Sequence, residues 1–424
     1  MKHGPRNVLV CAIAAAALTL AACSSSTDTA SGTGADGGAD AGAATSAGDA
    51  TGAATSAGGE SAGGGTIVWG ATDALSGALA TSAGAIQIGL NAYVKATNAA
   101  GGLDGNTISY EALDSAGDAS RTATNITQLV TAKKATAIFG NTLSSTCSAG
   151  APIVERYKVP MACLSIAEPN DWVYPMGPKN DKMAGAMLAS AKQISGKDDP
   201  TVAIVYLNTL TVVALSDNIT KQAEAAGVKV VASEKVEITA NDLSPTVSKI
   251  AAAKPDVILY SGLSAALISL VKGADAAGLK APVIVADGVI ALDAVAAVPD
   301  APMYFLSVYQ LIDPANATGE AKTYLDAMTA AGAKVDYHNL NQGTTVAGYL
   351  AAAAFGEAST ACGNPCSGAD LKKQLDQVKP DFGGLAPGFS YANRADHYPY
   401  PKLYLNQVKT AESTTQVGEF DVDE

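Results

Sequence analysis

The stretch Ala203-Ile204-Val205-Tyr206-Leu207 carries no charged residue, and neither does Val257-Ile258-Leu259-Tyr260 or Val283-Ile284-Val285-Ala286. Continuous apolar runs are typical of strands buried on both faces, as in a parallel sheet covered by helices. Further strand candidates flank these runs on both sides. All candidates together are Thr66–Trp69, Thr107–Ala112, Ala135–Phe139, Pro160–Leu164, Thr201–Leu207, Val228–Val236, Asp256–Ser261, Pro282–Ala286 and Met303–Ser307.

Helical patterns separate these strands. One example is Leu267, Leu270, Val271 and Ala274, which fall on one helical face ahead of the stop signal Gly278. Strand and helix alternation predicts βαβ units with right-handed crossovers. There are too many strands for one ordinary open sheet, so we predict an α/β fold of two doubly wound parallel-sheet lobes.

The first residues have the features of a secretory signal peptide. Lys2 and Arg6 precede the apolar run Val8–Leu20, and small residues lead to Cys23. Leu20-Ala21-Ala22-Cys23 resembles the bacterial lipobox, which implies cleavage after residue 22 and lipidation of Cys23. An ordinary secretory signal with a chance cysteine is the alternative.

Residues 23–65 are predicted to be a disordered tether. Ser24 to Gly65 contains Ser, Thr, Gly, Ala and a few acids, with no Val, Ile, Leu, Met or aromatic residue. Such a composition cannot bury enough apolar surface to offset its ordering entropy. We therefore expect a protein held on the extracytoplasmic face of the cell membrane by its lipid anchor.

The net charge and the cysteine content limit which kinds of partner and which kinds of covalent or metal site are expected. The net charge is −13 and no Lys/Arg cluster occurs, which argues against nucleic acid. Four cysteines remain beyond Cys23, and an even number in an exported chain predicts disulfides. Of the three pairings we favour Cys147–Cys163 and Cys362–Cys366. We expect no metal and no cofactor, and we expect both His338 and His397 at the surface.

Two loops at predicted strand ends carry ligand-binding chemistry. In parallel sheets ligands bind beyond the carboxyl ends of the strands. Ser144 and Ser145 open a helix after Ala135–Phe139, where free N–H groups favour a carboxylate, although simple N-capping is the alternative. Asp287 follows Val283–Ala286, where it could hold an ammonium group or form an ordinary Asp-Gly turn.

The body, from Ile67 to Val408, resembles the branched-chain amino-acid-binding proteins of the type I periplasmic binding protein group. No single motif is decisive, but their order and spacing together are specific. The motifs are Ala74-Leu75-Ser76-Gly77, Asn98 to Gly105, Asp114–Asp118, Gly140 to Thr146, Val159-Pro160-Met161, Gly278-Leu279-Lys280 and Asp287-Gly288.

The resemblance implies a ligand site. Ser144 matches the family's carboxylate-binding serine, and Asp287 matches the acidic residue that holds the ammonium. Ser165 and Ala167 fall where the family contacts carboxylate and ammonium, although Ala167 replaces a usual threonine. The family often places aromatic residues at the positions that match Ser82, Thr211 and either Leu263 or Ser264, and here all four of these residues are small or aliphatic. The side-chain pocket should therefore differ in shape, with Trp69 and Trp172 more suited to packing than to a replacement wall.

The resemblance also implies the lobe boundaries. The N-terminal lobe would contain 66–178 and 308–383, and the C-terminal lobe 179–307 and 384–412, with 413–424 as a tail. Three strands form the hinge, with crossings near Gly177–Asn180, Phe305–Val308 and Phe382–Gly384.

The implied function is that of a monomeric solute-binding lipoprotein of an ABC importer. It would close around a small molecule such as an amino acid and dock on a permease. A lipoprotein sensor acting through a partner is one alternative. An exported hydrolase is another, disfavoured because no His-Glu-x-x-His or phosphate-loop motif occurs, and because the Gly-x-Ser-x-Gly match at Gly59–Gly63 falls in the predicted tether and not between a strand and a helix.

Overall fold

The computed structural model describes residues 64–77, 79–164, 170–240, 242–392 and 396–422. The predicted signal peptide, Cys23 and the tether up to residue 63 lie outside the described residues. Within the described part, no helix combines the length and apolar character needed to cross a bilayer.

The first sheet has five strands, all parallel, in the order β2-β1-β3-β4-β5. Helices connect its first four strands, as the alternating pattern predicted. In chain order the elements are β1 (Thr66–Asp73), α1 (Ala80–Ala99), β2 (Thr107–Asp114), α2 (Ala119–Thr131), β3 (Ala137–Gly140), α3 (Ser144–Tyr157), β4 (Met161–Cys163) and β5 (Val173–Pro175).

The second sheet begins with a similar alternation. Its elements are α4 (Asn180–Ser195), β6 (Thr201–Leu207), α5 (Leu210–Ala223), β7 (Lys229–Val236), α6 (Ser244–Ala253), β8 (Val257–Ser261), α7 (Ser264–Ala276), β9 (Val283–Val285), α8 (Gly288–Ala297) and β10 (Met303–Ser307). These five strands pair in parallel, in the order β7-β6-β8-β9-β10.

The remaining elements return to the first sheet and then to the second. They are α9 (Gly319–Ala330), α10 (Tyr337–Leu340), α11 (Gly343–Cys362), α12 (Gly368–Leu375), β11 (Lys402–Thr410) and β12 (Ser413–Asp421). Helices α9 and α11 pack on α1, whereas β11 pairs antiparallel with β10. In the described residues, the chain therefore passes between the sheets after β5, after β10 and between α12 and β11.

Alternation along single strands explains why the apolar runs are continuous. Val202 and Ile204 of β6 belong to the core that includes α4, while Ala203 and Val205 belong to the core under α6, α7 and α8. Successive side chains of a strand point to opposite faces, so a strand covered on both faces needs apolar residues throughout. The predicted α/β architecture of two parallel sheets is confirmed.

Helices α1 and α11 approach each other closely because glycines lie at the contact. A Cβ at Gly89 would stand 2.0 Å from the backbone oxygen of Thr345, and one at Gly348 would stand 2.5 Å from that of Ile86. Only residues without a side chain permit this approach. The contact fixes the position of the first turns of α11.

Two sequence expectations are wrong. The 413–424 segment, set apart as a tail, contains β12, which pairs antiparallel with β11 at the edge of the second sheet. His397, expected at the surface, is 6% exposed and stacks on Tyr174, with 4.3 Å between ring centroids. Its Nδ1 lies 3.0 Å from the carbonyl oxygen of Val173, so this imidazole has a backbone partner inside the protein.

Both favoured disulfides are present. Cys147 on α3 is joined to Cys163 at the end of β4, and both residues are fully buried. Cys362 at the end of α11 is joined to Cys366, four residues along the chain. The first bridge therefore fixes α3 to the sheet beside it, whereas the second closes a short turn.

Removing the first bridge should cost more stability than removing the second. In the chain-entropy description, a disulfide spanning 16 residues contributes about 3 kcal/mol and one spanning four residues about 2 kcal/mol. We expect Cys147→Ala/Cys163→Ala to lower the free energy of unfolding in urea by the larger amount, with Cys362→Ala/Cys366→Ala as the matched control. Equal losses in the two double variants would contradict this order.

Candidate ligand-binding cleft

A chamber of about 420 Å³ lies where the two sheets face each other, and we call it the loop chamber. Thr142 and Ser144 line it from the first sheet, and Thr211, Leu263 and Asp287 line it from the second. All five follow the carboxyl ends of parallel strands, which is where ligands bind in such sheets. The structure thus brings four of the residues selected from the sequence to one chamber.

A second chamber of about 500 Å³ adjoins the first, and we call it the hinge chamber. The crossing segments Met176–Asp181 and Leu306–Tyr309 contribute to its wall, together with the start of α11 at Gly343 and Thr344. The chambers share five lining residues, namely Thr211, Val212, Ser261, Ala286 and Asp287. These shared residues form the junction between the chambers.

Ser144 begins α3 and faces the opposite lobe. Its Oγ is in hydrogen-bond contact with Oγ1 of Thr211, which lies on α5 of the second sheet. The residue that precedes α3, Leu143, offers no side-chain cap, so N-capping by Ser144 or Ser145 is not the arrangement found. The first N–H groups of a helix lack intrahelical partners and carry partial positive charge, which favours an anionic group here.

Asp73 holds the loop that leads to Ser144. It lies at the carboxyl end of β1, is 1% exposed, and accepts hydrogen bonds from the N–H groups of Thr142 (3.0 Å) and Ala74 (2.9 Å). The hydroxyl of Thr142 also donates to it. Burial raises the pKa of Asp73, and these hydrogen bonds oppose that rise. The loop is thereby fixed to the end of β1.

The two carboxylate oxygens of Asp287 face different parts of the structure. One oxygen, Oδ1, accepts the N–H of Val289 at 3.1 Å and so caps α8. The other oxygen, Oδ2, lies 3.8 Å from the position that a Cβ on Gly343 would take, beside the hinge chamber. Burial raises the pKa of Asp287. The capping that the sequence left as an alternative is therefore present, and one oxygen remains on the chamber side.

The other residues that the sequence analysis singled out either line neither chamber or lie outside the described residues. Ser82 and Ser264 line neither chamber, and Ser264 instead hydrogen-bonds to Asp293 on α8. Ser165 and Ala167 fall outside the described residues. Trp69 is fully buried and packs on Phe139 at 5.1 Å between ring centroids, in keeping with a packing role. That any of these residues binds ligand stays a prediction.

Sequence reasoning missed the lining residues of the crossing segments. Lys179 reaches the hinge chamber, but its Nζ forms an ion pair with Asp396. Tyr309 is the aromatic residue of the described lining, and its hydroxyl donates to the carbonyl of Asn341 at 2.6 Å. Thr344 has a buried hydroxyl without a hydrogen-bond partner in the described structure. Tyr309 lies two residues beyond the carboxyl end of β10 and Lys179 four residues beyond that of β5, so both occupy strand-end positions, whereas Thr344 at the start of α11 does not.

The two histidines in the described part of the chain, His338 and His397, line neither chamber. His338 on α10 pairs with Asp293, with 2.8 Å between Nε2 and Oδ1, and His397 packs against β5. The hydrogen bond with Asp293 raises the pKa of His338. Partial burial raises the pKa of Asp293, but the bonds from His338 and Ser264 outweigh it and leave that pKa lowered. Neither imidazole stands beside Ser144 as a base would.

Comparison with known proteins shows which family model and which solved structures the chain resembles. A family model described as periplasmic binding protein matches residues 66–414. The isoleucine complex of the branched-chain amino acid transporter substrate-binding protein LivJ from Streptococcus pneumoniae is 22% identical, covers 83% of this chain and 99% of its own, and has a TM-score of 0.68. A branched-chain amino acid ABC transporter protein from Thermus thermophilus with bound valine is 15% identical over 84% and 96% of the two chains, with a TM-score of 0.74.

A third solved structure carries a different kind of ligand. It is the solute-binding protein of an ABC transporter from R. palustris in complex with 4-hydroxybenzoate, 19% identical over 84% and 97% of the two chains, with a TM-score of 0.69. At these identities the solved structures show that the fold is shared.

The pair of His338 and Asp293 should make stability depend on pH. Because folding raises the pKa of His338, its stabilisation is fully present below the unfolded value of about 6.5 and is lost as the pH rises through the folded value. We expect His338→Gln to lower the urea midpoint at pH 6 and to have little effect at pH 9. An equal loss at both pH values would show that the imidazolium is not the stabilising species.

Proposed function

The chain belongs to the periplasmic binding protein family, and from this premise we propose that it is the solute-binding lipoprotein of an ABC importer, with an amino acid or a related small carboxylate as its ligand. The family membership confirms the resemblance found in the sequence. One observation carries the proposal of a ligand class: Ser144 and Asp287 reach the same chamber from opposite sheets. A donor-rich end and a carboxylate are thereby placed at opposite sides of one small volume.

The chamber offers complementary groups to both ends of an amino acid. The start of α3, with the Ser144 hydroxyl, presents donors and positive dipole to a carboxylate. Asp287 keeps one oxygen at the chamber junction, where an ammonium group would give it a partner. Apart from Lys179, which is paired with Asp396, no cationic side chain lines either chamber in the described residues.

The lobes would close around this ligand. The contact of Ser144 with Thr211 already joins α3 and α5 across the cleft, so the described arrangement brings the two sides together at the chamber. A ligand that contacts both sides favours the closed arrangement by its differential affinity. The closed form would then dock on the permease, with the acylated Cys23 and the tether keeping the protein at the membrane.

Structures of similar fold bind both amino acids and aromatic carboxylates, so the first experiment is a ligand screen. We expect a branched-chain or aromatic amino acid, or an aromatic acid, to raise the melting temperature of the purified body in a concentration-dependent way. Isothermal titration should then give one site per chain. The absence of any stabilising compound among these classes would reject the proposed ligand class.

The role of Asp287 has a specific test. Asp287→Asn keeps an oxygen that can cap α8, because Asn and Asp cap equally well, but it removes the charge that would hold an ammonium group. We expect an amino acid to bind about 2 kcal/mol more weakly to this variant, roughly a thirtyfold loss. Calorimetry of the two proteins measures it.

Asp293→Asn is the matched control, since it makes the same change on the same helix, outside both chambers. It should leave the affinity unchanged. Unaltered affinity in Asp287→Asn would remove Asp287 from the ammonium site, while an equal loss in both variants would point to α8 as a whole.

A further inference from the structure

The loop that leads into α3 has a backbone that depends on support from its neighbours. Gly140 and Asn141 both have positive φ, 105° and 61°, and a Cβ at Gly140 would stand 2.5 Å from the carbonyl oxygen of Thr72. Asn adopts the left-handed region only at a cost in free energy. The N–H of Asn141 donates to the carbonyl of Thr72 at 3.1 Å. The loop therefore keeps this conformation through contacts with the neighbouring strand β1.

Asp73 gathers three hydrogen-bond donors on one of its oxygens. Oδ1 accepts the N–H groups of Ala74 (2.9 Å) and Thr142 (3.0 Å) and also the hydroxyl of Thr142. Oδ2 lacks a hydrogen-bond partner in the described structure, as does Nε2 of Gln87, whose side chain lies beside Asp73. Asp73 therefore joins the loop after β1 to the loop after β3, and it uses only one oxygen to do so.

The donors proposed for the ligand carboxylate stand directly on this loop. Ser144 begins α3 and lies two residues beyond Thr142, so a displacement of Thr142 moves the Ser144 hydroxyl and the first N–H groups of α3. The N–H and the hydroxyl of Thr142 both donate to Asp73. Asp73 itself lines neither chamber, so any effect that it has on a ligand passes through the loop.

We infer, on the basis of the proposed function, that Asp73 is a positioning residue for the carboxylate-binding start of α3, and that it acts through the geometry of Oδ1 and not through its charge. A negative charge behind the loop would repel an anionic group, so charge is not what favours a carboxylate at this position. An acceptor behind the loop instead holds the donors of α3 in place before the ligand arrives. Donors that are already in place spare the ligand the cost of ordering them.

Amide hydrogen exchange of the ligand-free protein tests whether Asp73 holds the loop. Asp73→Ala removes the acceptor, and we expect the amides of residues 140–146 to exchange about tenfold faster or more. Asp73→Asn keeps Oδ1, and it should change the exchange rate by less than about threefold because Oδ2 accepts no hydrogen bond that could be lost. Equal exchange in Asp73→Ala and in the wild type overturns the inference. An increase in Asp73→Asn as large as that in Asp73→Ala also overturns it, because the charge would then be required.

Calorimetry with two probes tests the consequence for binding. The probes are L-isoleucine and 4-hydroxybenzoate, which share a carboxylate and are bound in two solved structures of similar fold. For each probe that the wild type binds, Asp73→Ala should weaken binding by about tenfold or more, and Asp73→Asn by less than about threefold. Faster loop exchange with unchanged affinity overturns the inference and leaves the proposed function standing. If the wild type binds neither probe and no compound of the wider screen, the proposed function fails, and the exchange measurement alone decides whether Asp73 positions the loop.

Asp256→Ala is the matched control, because Asp256 accepts the same two kinds of donor from a threonine. The N–H and the hydroxyl of Thr201 donate to its Oδ2 at 2.9 and 3.0 Å, at the amino end of β6, and neither residue lines a chamber. The variant should lower the urea midpoint and leave the affinity for either probe within about twofold. If Asp256→Ala weakens binding as much as Asp73→Ala does, the loss reflects general destabilisation and the inference is rejected.

Thr142→Val replaces Asp73→Ala if that variant does not fold. It removes the hydroxyl donor to Asp73 and keeps the N–H donor. We expect exchange of the amides of residues 140–146 to increase about threefold or more, in a measurement that involves no ligand. Unchanged exchange in Thr142→Val would then overturn the inference.

Discussion

Parallel strands that are buried on both faces must be joined by crossovers, and this constraint determines where the cleft lies. Each crossover leaves its strand at the carboxyl end, so all the loops of one sheet begin at the same edge. The strands β3, β6, β8 and β9 each lead directly into residues that line a chamber, among them Thr142, Thr211, Ser261 and Asp287. Apolar side chains on both faces thus place polar side chains at one edge of each sheet.

Elements that follow this constraint could be predicted from the sequence. The apolar runs gave the bounds of β6 and β10 without error, because strands in the middle of a covered sheet carry an unbroken apolar pattern. Three strands were missed. Val173–Pro175 is only three residues long, and β11 and β12 form an antiparallel hairpin at the sheet edge, where Ser413–Asp421 is mostly polar. β11 pairs with β10 and β12 pairs with β11, and no local sequence pattern records these tertiary contacts.

The residues of the candidate site also divide into those that the sequence predicts and those that it does not. Ser144, Thr211, Leu263 and Asp287 all lie in loops that follow predicted strands, so the strand-end rule selects these loops and the family resemblance assigns the roles. Part of the hinge chamber lies beyond the reach of that rule, because Gly343, Thr344 and Ala347 line it from α11. The position of α11 is set by close packing on α1 at Gly89 and Gly348. A local reading also cannot tell that Ser264 turns to Asp293 rather than to the cleft, since that choice depends on a neighbouring helix.

Closure and specificity have a common physical origin in this arrangement. Asp287 has one oxygen committed to α8 and the other at the chamber junction, and the Thr344 hydroxyl has no partner within the described structure. Closing the lobes over such groups without a guest removes them from water and leaves them unsatisfied, which costs free energy. A ligand that supplies an ammonium group to Asp287 removes that part of the cost. On the proposed function, the groups that recognise the ligand are therefore the same groups that disfavour the empty closed form, so occupancy and closure are coupled without any further device.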